Sequence, residues 1–149
     1  MSHQIRVFRS TAWLFVCAFI FISARVTSAA SDPVDQLRRV ESFAIGGIGI
    51  AGTTSEGERA LRNLLADSEA TPKLESLLTN ATPAGQLYAL LGLRVHDRAA
   101  YERAAKDFHR PDGEVETIGG CIISRVPFKQ VLDRIKAGQY DQALTRPAR

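Results

Sequence analysis

The chain has 149 residues, 45% of them hydrophobic, and a formal net charge of +3. That size and composition suit a single globular domain with an apolar core. The charge excess lies at one end: residues 1–30 hold Arg6, Arg9 and Arg25 and no acid, so the 19 basic and 16 acidic residues of the whole chain become 16 of each beyond residue 30. A neutral remainder offers no electrostatic case for nucleic acid or an anionic membrane surface as a partner.

The first thirty residues read as a cleaved secretory signal. Arg6 and Arg9 form a positive start, Ala12 to Ala24 (AWLFVCAFIFISA) is an almost wholly apolar run, and Thr27-Ser28-Ala29-Ala30 supplies small residues for cleavage after Ala29 or Ala30. Thirteen apolar residues rise only about 20 Å as a helix, short of the roughly 30 Å hydrocarbon core of a bilayer. Cys17 follows Val16 inside the apolar run, which does not suit lipid attachment. Its loss with the signal leaves Cys121 alone, so no internal disulfide is expected.

The expected organisation is a signal over 1–30, an N-terminal helical arm over 31–42, one globular domain over 43–145 and a frayed tail over 146–149. Ser31-Asp32-Pro33 starts a short helix with Val34, Leu37 and Val40 on one face, loosely attached. Phe43 to Gly52 (FAIGGIGIAG) is too rich in glycine for a helix and reads as a short strand. A leucine triplet then repeats with a 13-residue step: Leu61, Leu64, Leu65, then Leu74, Leu77, Leu78, then Leu87, Leu90, Leu91. Ser55 with Glu58 fits a capping box, and Thr71-Pro72 and Thr82-Pro83 each offer a cap followed by Pro at the first helical position. Three short antiparallel helices follow from this. A fourth helix starts at the cap Asp97, with Tyr101, Ala104 and Phe108 on its apolar face. After the turn residues 109–113, Glu114 to Ile123 reads as one alternating strand through Gly119-Gly120. Phe128, Val131, Leu132 and Ile135 place a last helix from about Pro127, ended by Gly138. Gly85 and Gly92, inside a helix, predict close packing, here against the Gly-rich strands. The fold expected is α+β and mostly helical: four or five short helices in an antiparallel stack, with a two-stranded sheet made by the two Gly-Gly segments.

Chemical motifs are sparse. Gly47-Ile-Gly49-Ile-Ala-Gly52 matches a dinucleotide-binding pattern by letter, but it lacks a long preceding strand and an acid on a second strand, so no cofactor is expected. Cys121 with His96 or His109 would make a nucleophile pair, and His109 is the better partner because it lies in a turn with more freedom to approach. The apolar setting IGGCII predicts a buried, inert Cys121. His96 and His109 match no metal-ligand spacing, and no metal is expected. The leucine triplets resemble a partner-docking motif by letter, and core packing explains them better. Asn80-Ala81-Thr82 is a glycosylation sequon followed directly by Pro83.

The segments IGGIGIAGTTSEGERALRNLL, TPAGQLYALLGL and IGGCI resemble a family of small exported bacterial proteins, one of which is encoded beside a microcin gene cluster. The resemblance covers roughly residues 43–125. It implies a bacterial source and a periplasmic or secreted location, and it carries no activity and no site residues. The function expected is an exported, non-catalytic protein that binds a protein or peptide partner, with no nucleic acid and no membrane after signal cleavage. The alternatives are a small thiol-dependent enzyme or hydrolase using Cys121 and His109, and a structural envelope component.

Overall fold

The computed structural model describes residues 31–109 and 112–146, so the signal expected over 1–30 lies outside the described residues. Among the described residues, seven helices and a three-stranded mixed sheet build an α+β fold that is mostly helical. The helices are α1 (Pro33–Arg39), α2 (Glu56–Leu65), α3 (Ala70–Asn80), α4 (Pro83–His96), α5 (Arg98–Asp107), α6 (Phe128–Lys136) and α7 (Asp141–Thr145). The strands are β1 (Ser42–Phe43), β2 (Glu114–Gly119) and β3 (Ile122–Pro127).

Most helix starts are set by side-chain caps, which satisfy amide groups that the helix itself leaves open. Asp32 accepts from the Val34 N–H at 3.1 Å, Ser55 from Glu58 at 3.0 Å, Thr82 from Gly85 at 3.1 Å and Asp97 from Ala100 at 2.9 Å. Helix α3 departs from the expected start at Thr71-Pro72. It begins two residues earlier, with Glu69 as its cap and no side-chain cap bond. The turn before it does that work: the Glu69 N–H donates to the Asp67 carboxylate at 2.9 Å, and the Ala70 N–H to the Asp67 carbonyl at 3.2 Å. Pro72 is then tolerated because first-turn amides have no helical acceptor.

Helix α4 is the centre of the molecule. Leu87, Tyr88, Leu90, Leu91 and Leu93 are all fully buried, and α1, α2, α3, α5 and α6 pack around them. The repeated leucines fill this core: Leu61, Leu64, Leu74 and Leu77 are buried, and only Leu65 and Leu78 are left half-covered. Helix α1 belongs to the core rather than hanging loosely. Its Leu37 is fully buried, the Thr82 N–H donates to the Arg38 carbonyl at 3.1 Å, and the Thr82 hydroxyl donates to the Val40 carbonyl.

The glycines inside the helices mark close packing, but against helices rather than strands. A Cβ at Gly85 would overlap the Leu37 carbonyl oxygen and lie 2.8 Å from the Ala81 Cβ. One at Gly92 would meet Leu74 at 2.8 Å and Leu61 at 2.9 Å, and one at Gly57 would meet the Tyr88 ring at 2.6 Å.

The sheet corrects the expected two strands to three. Segment 114–127 is a hairpin, with Gly119 opposite Ile122 and a two-residue turn of Gly120 and Cys121. Gly120 has φ +57°, the conformation that a type II′ turn needs at its first central position and that a glycine adopts freely. β1 runs parallel to β2, pairing Ser42 with Glu116 and Phe43 with Thr117. The two Gly-Gly segments do meet, because the Gly49 N–H donates to the Gly120 carbonyl at 2.7 Å. Past Phe43, however, the first segment is a loop rather than a strand.

A buried polar network ties that loop to the helices. The Tyr88 hydroxyl donates to the Ala44 carbonyl at 3.0 Å and accepts from the Ala44 N–H at 2.9 Å. The Ser55 hydroxyl also donates to the Ala44 carbonyl, at 2.8 Å. Burial pushes the Tyr88 hydroxyl pKa up, and its bonds to Ser55 and Ala44 offset part of that rise. The expected capping box is half formed: the Glu58 carboxylate turns away from Ser55 to accept from the Gly46 N–H at 2.8 Å and from Arg62 at 2.7 and 2.9 Å. Arg62 also donates to the carbonyls of Ala143, Leu144 and Arg146, which fastens α7 to α2.

Candidate functional site

Cys121 stands exposed at the hairpin turn, so the expected burial is wrong. Its neighbours are apolar, but the hairpin carries them past the core: Ile122 is 70% exposed and Ile123 65%. His109 sits before the start of β2, at the other end of the hairpin. Six strand residues at about 3.3 Å each hold the two ends roughly 20 Å apart. The structure therefore does not bring Cys121 and His109 together.

Three of the six amides of the G-x-G-x-x-G segment, those of Ile48, Gly49 and Gly52, are bonded within the fold. The Ile48 and Thr53 N–H groups bond each other's carbonyls at 2.8 and 3.0 Å, Gly49 bonds Gly120, and Gly52 bonds the Gly49 carbonyl at 3.2 Å. A phosphate-binding loop needs such amides free and convergent. His96 is exposed at the end of α4. Among the described residues no group of three or more His, Cys, Asp or Glu side chains could hold a metal ion, and no helix is long and apolar enough to cross a membrane.

His109 takes part in a different site. A cleft of about 600 Å³ is lined by residues of α3, α4 and α5 together with Phe108 and His109. Leu78 from α3, Ala104 from α5 and Phe108 make its apolar lining, and Gln86 from α4 also lines it. The Gln86 amide is held in place by donating to the Leu78 carbonyl at 3.0 Å. Arg103 and Glu75 face each other at the rim, 3.7 Å apart and both well exposed. Such a pair contributes about 0–1 kcal/mol, so an entering ligand can part it at little cost.

Phe108 is the wall of this cleft and of a second one. On its far side a recess of about 360 Å³ is lined by Leu90, Leu132 and Lys136, and Phe108 and His109 border both. Helix α5 ends at Asp107, and Phe108 is extended, with ψ 113°. That turn swings the Phe108 ring off the helix axis to stack on Phe128, centroids 6.0 Å apart and planes at 23°. The periodicity that placed Phe108 on the helix face thus identified an apolar residue whose position depends on the helix stopping. The pair of hollows has the size and mixed lining of a site for a small molecule or one to two peptide side chains.

No family model, curated protein or solved structure matches this chain.

Proposed function

We propose that residues 31–149 act outside the cytoplasm, after removal of the signal, as a non-catalytic protein that binds a peptide segment of its partner in the cleft at Phe108. The observation that supports this reading is the cleft itself: an apolar lining from Leu78, Ala104 and Phe108 under an exposed, weakly coupled Arg103–Glu75 rim. An apolar peptide side chain would enter against Phe108, and charged flanking residues would pair with Arg103 and Glu75 as these separate. A neutral chain of 16 basic and 16 acidic residues suits recognition by local charge rather than by long-range attraction.

The test is selection of peptides on the immobilised protein from a random displayed library. Peptides with an apolar residue flanked by charge should be enriched. They should lose at least about tenfold in affinity for Ala104→Trp, which fills the cleft from a half-buried helix position. Equal binding to that variant would remove the cleft from the reading. Sequencing the N-terminus of the protein recovered from outside the cytoplasm tests export, with Ala30 or Ser31 as the expected first residue.

A further inference from the structure

We infer that this protein forms a two-fold dimer by pairing β3 with β3 of a second copy, which makes one continuous six-stranded sheet. The inference does not rest on peptide binding in the cleft, which lies on other elements.

The hydrogen-bond phase of the hairpin is fixed at both ends. Gly119 and Ile122 flank the two-residue turn, and at the far end the Phe128 N–H donates to the Gly113 carbonyl at 3.0 Å. Bonded and non-bonded pairs alternate between these points. Ile122, Ser124 and Val126 therefore bond toward β2, while the backbone groups of Ile123 and Arg125 point to the outer edge. Pro127 has no N–H and sits in an outward position, opposite Glu114, where it leaves no gap in the hairpin. In the strand order β1-β2-β3 that outer edge has no strand beside it among the described residues.

The edge is self-complementary. With the two-fold axis at Ser124, Ile123 of each copy pairs with Arg125 of the other, and all four outward N–H groups find acceptors. The same register sets Ile122, 70% exposed, beside the half-buried Val126 of the second copy. Each Arg125 keeps Glu116 opposite it on its own β2, so the join brings no uncompensated charge. With equal numbers of acids and bases beyond residue 30, two copies do not repel each other as wholes. Assembly stops at two, because the opposite edge of the sheet is the two-residue β1, too short to template another strand. One six-residue edge is a small interface, so the equilibrium is expected in the micromolar range or weaker.

Sedimentation of the full-length protein over a concentration series should show reversible dimerisation. Arg125→Pro removes an outward N–H and none that bonds β2. It should leave the circular dichroism spectrum unchanged and weaken dimerisation at least about tenfold. In a background with Cys17 and Cys121 replaced by Ser, Ser124→Cys should form an intermolecular disulfide under diamide oxidation, because non-bonded antiparallel partners lie about 4.5 Å apart at Cα. Ile123→Cys in the same background should cross-link much more slowly. A monomer at every concentration, undiminished dimerisation of Arg125→Pro, or faster cross-linking through position 123 would each overturn the inference.

Discussion

Replacing Gly85 by alanine inverts the usual sign of a helix substitution. Alanine inside a helix ordinarily gains up to about 1 kcal/mol over glycine. At Gly85 the new Cβ would overlap the Leu37 carbonyl oxygen, with the Leu37 carbonyl carbon at 3.3 Å and the Ala81 Cβ at 2.8 Å. Carbon atoms attract best at about 3.5–4.0 Å. Both neighbours are backbone or Cβ, so no rotation relieves the overlap, and α1 must shift as a body. That shift also stretches the bond from the Thr82 N–H to the Arg38 carbonyl. Overpacking of this kind costs about 1–3 kcal/mol, and an overlap with rigid backbone belongs at the upper end, which leaves a net loss of up to about 2 kcal/mol after the propensity gain. For a domain of this size that is a fall in Tm of roughly 5 °C. Gly92→Ala is the internal control. Its Cβ would meet only the methyl ends of Leu74 and Leu61, which can rotate away, so the loss should be smaller. Thermal and guanidinium unfolding of the three proteins decide the matter. A Gly85→Ala protein as stable as the wild type, or a Gly92→Ala protein that is the weaker of the two, would refute the packing argument.

Glu58→Ala leaves Arg62 without its carboxylate in a nearly closed site, and it should cost about 3–5 kcal/mol in urea unfolding and expose residues 141–146 to protease. Tyr88 holds its proton more tightly folded than unfolded, because burial disfavours the phenolate. Its contribution to stability is thus fully present below about pH 10 and is lost as pH rises through the higher folded pKa. Chemical unfolding between about pH 9 and 11.5 should show that decline, and Tyr88→Phe should flatten it. Cys121 should be labelled by a thiol reagent in the folded protein without denaturant, and labelling that required denaturation would contradict its exposure.

The helical half of the fold is legible because its signals are local. Ser55, Thr82, Asp97 and Asp32 cap helices through amides two or three residues ahead, and the leucine triplets repeat on one face. Gly138, at φ +75°, ends α6 as its position suggests. The failures differ in kind: one passes over a local signal, and the others turn on tertiary contacts. Apolar letters on both sides of Gly119-Gly120 read as one strand, although a Gly-first two-residue turn between alternating segments is itself a hairpin signature. The same letters suggested a buried Cys121, because hydropathy does not reveal how far a hairpin projects beyond its core. Helix α7 has one buried apolar residue, Leu144, too little to show as a periodic face. Ala104 and Phe108 are legible as one helix face, but the cleft is not, since Leu78 and Gln86 meet them only after α3, α4 and α5 pack.

The division of polar groups explains why motifs are silent about function. Ser55, Glu58, Arg62, Thr82 and Tyr88 are the polar side chains most enclosed in bonds, and each joins segments that the core alone would leave loose: residues 38–46 to α2 and α4, and residues 143–146 to α2. A group so held has little freedom to engage a substrate. The polar groups left free to do so lie at surfaces, around Phe108 and along β3, beside apolar residues that folding leaves partly or wholly uncovered. Recognition at such places depends on shape and on weak pairs that part easily, such as Arg103 and Glu75. Charge reversal at both residues together should therefore preserve stability to within about 0.5 kcal/mol while it changes which peptides the cleft retains.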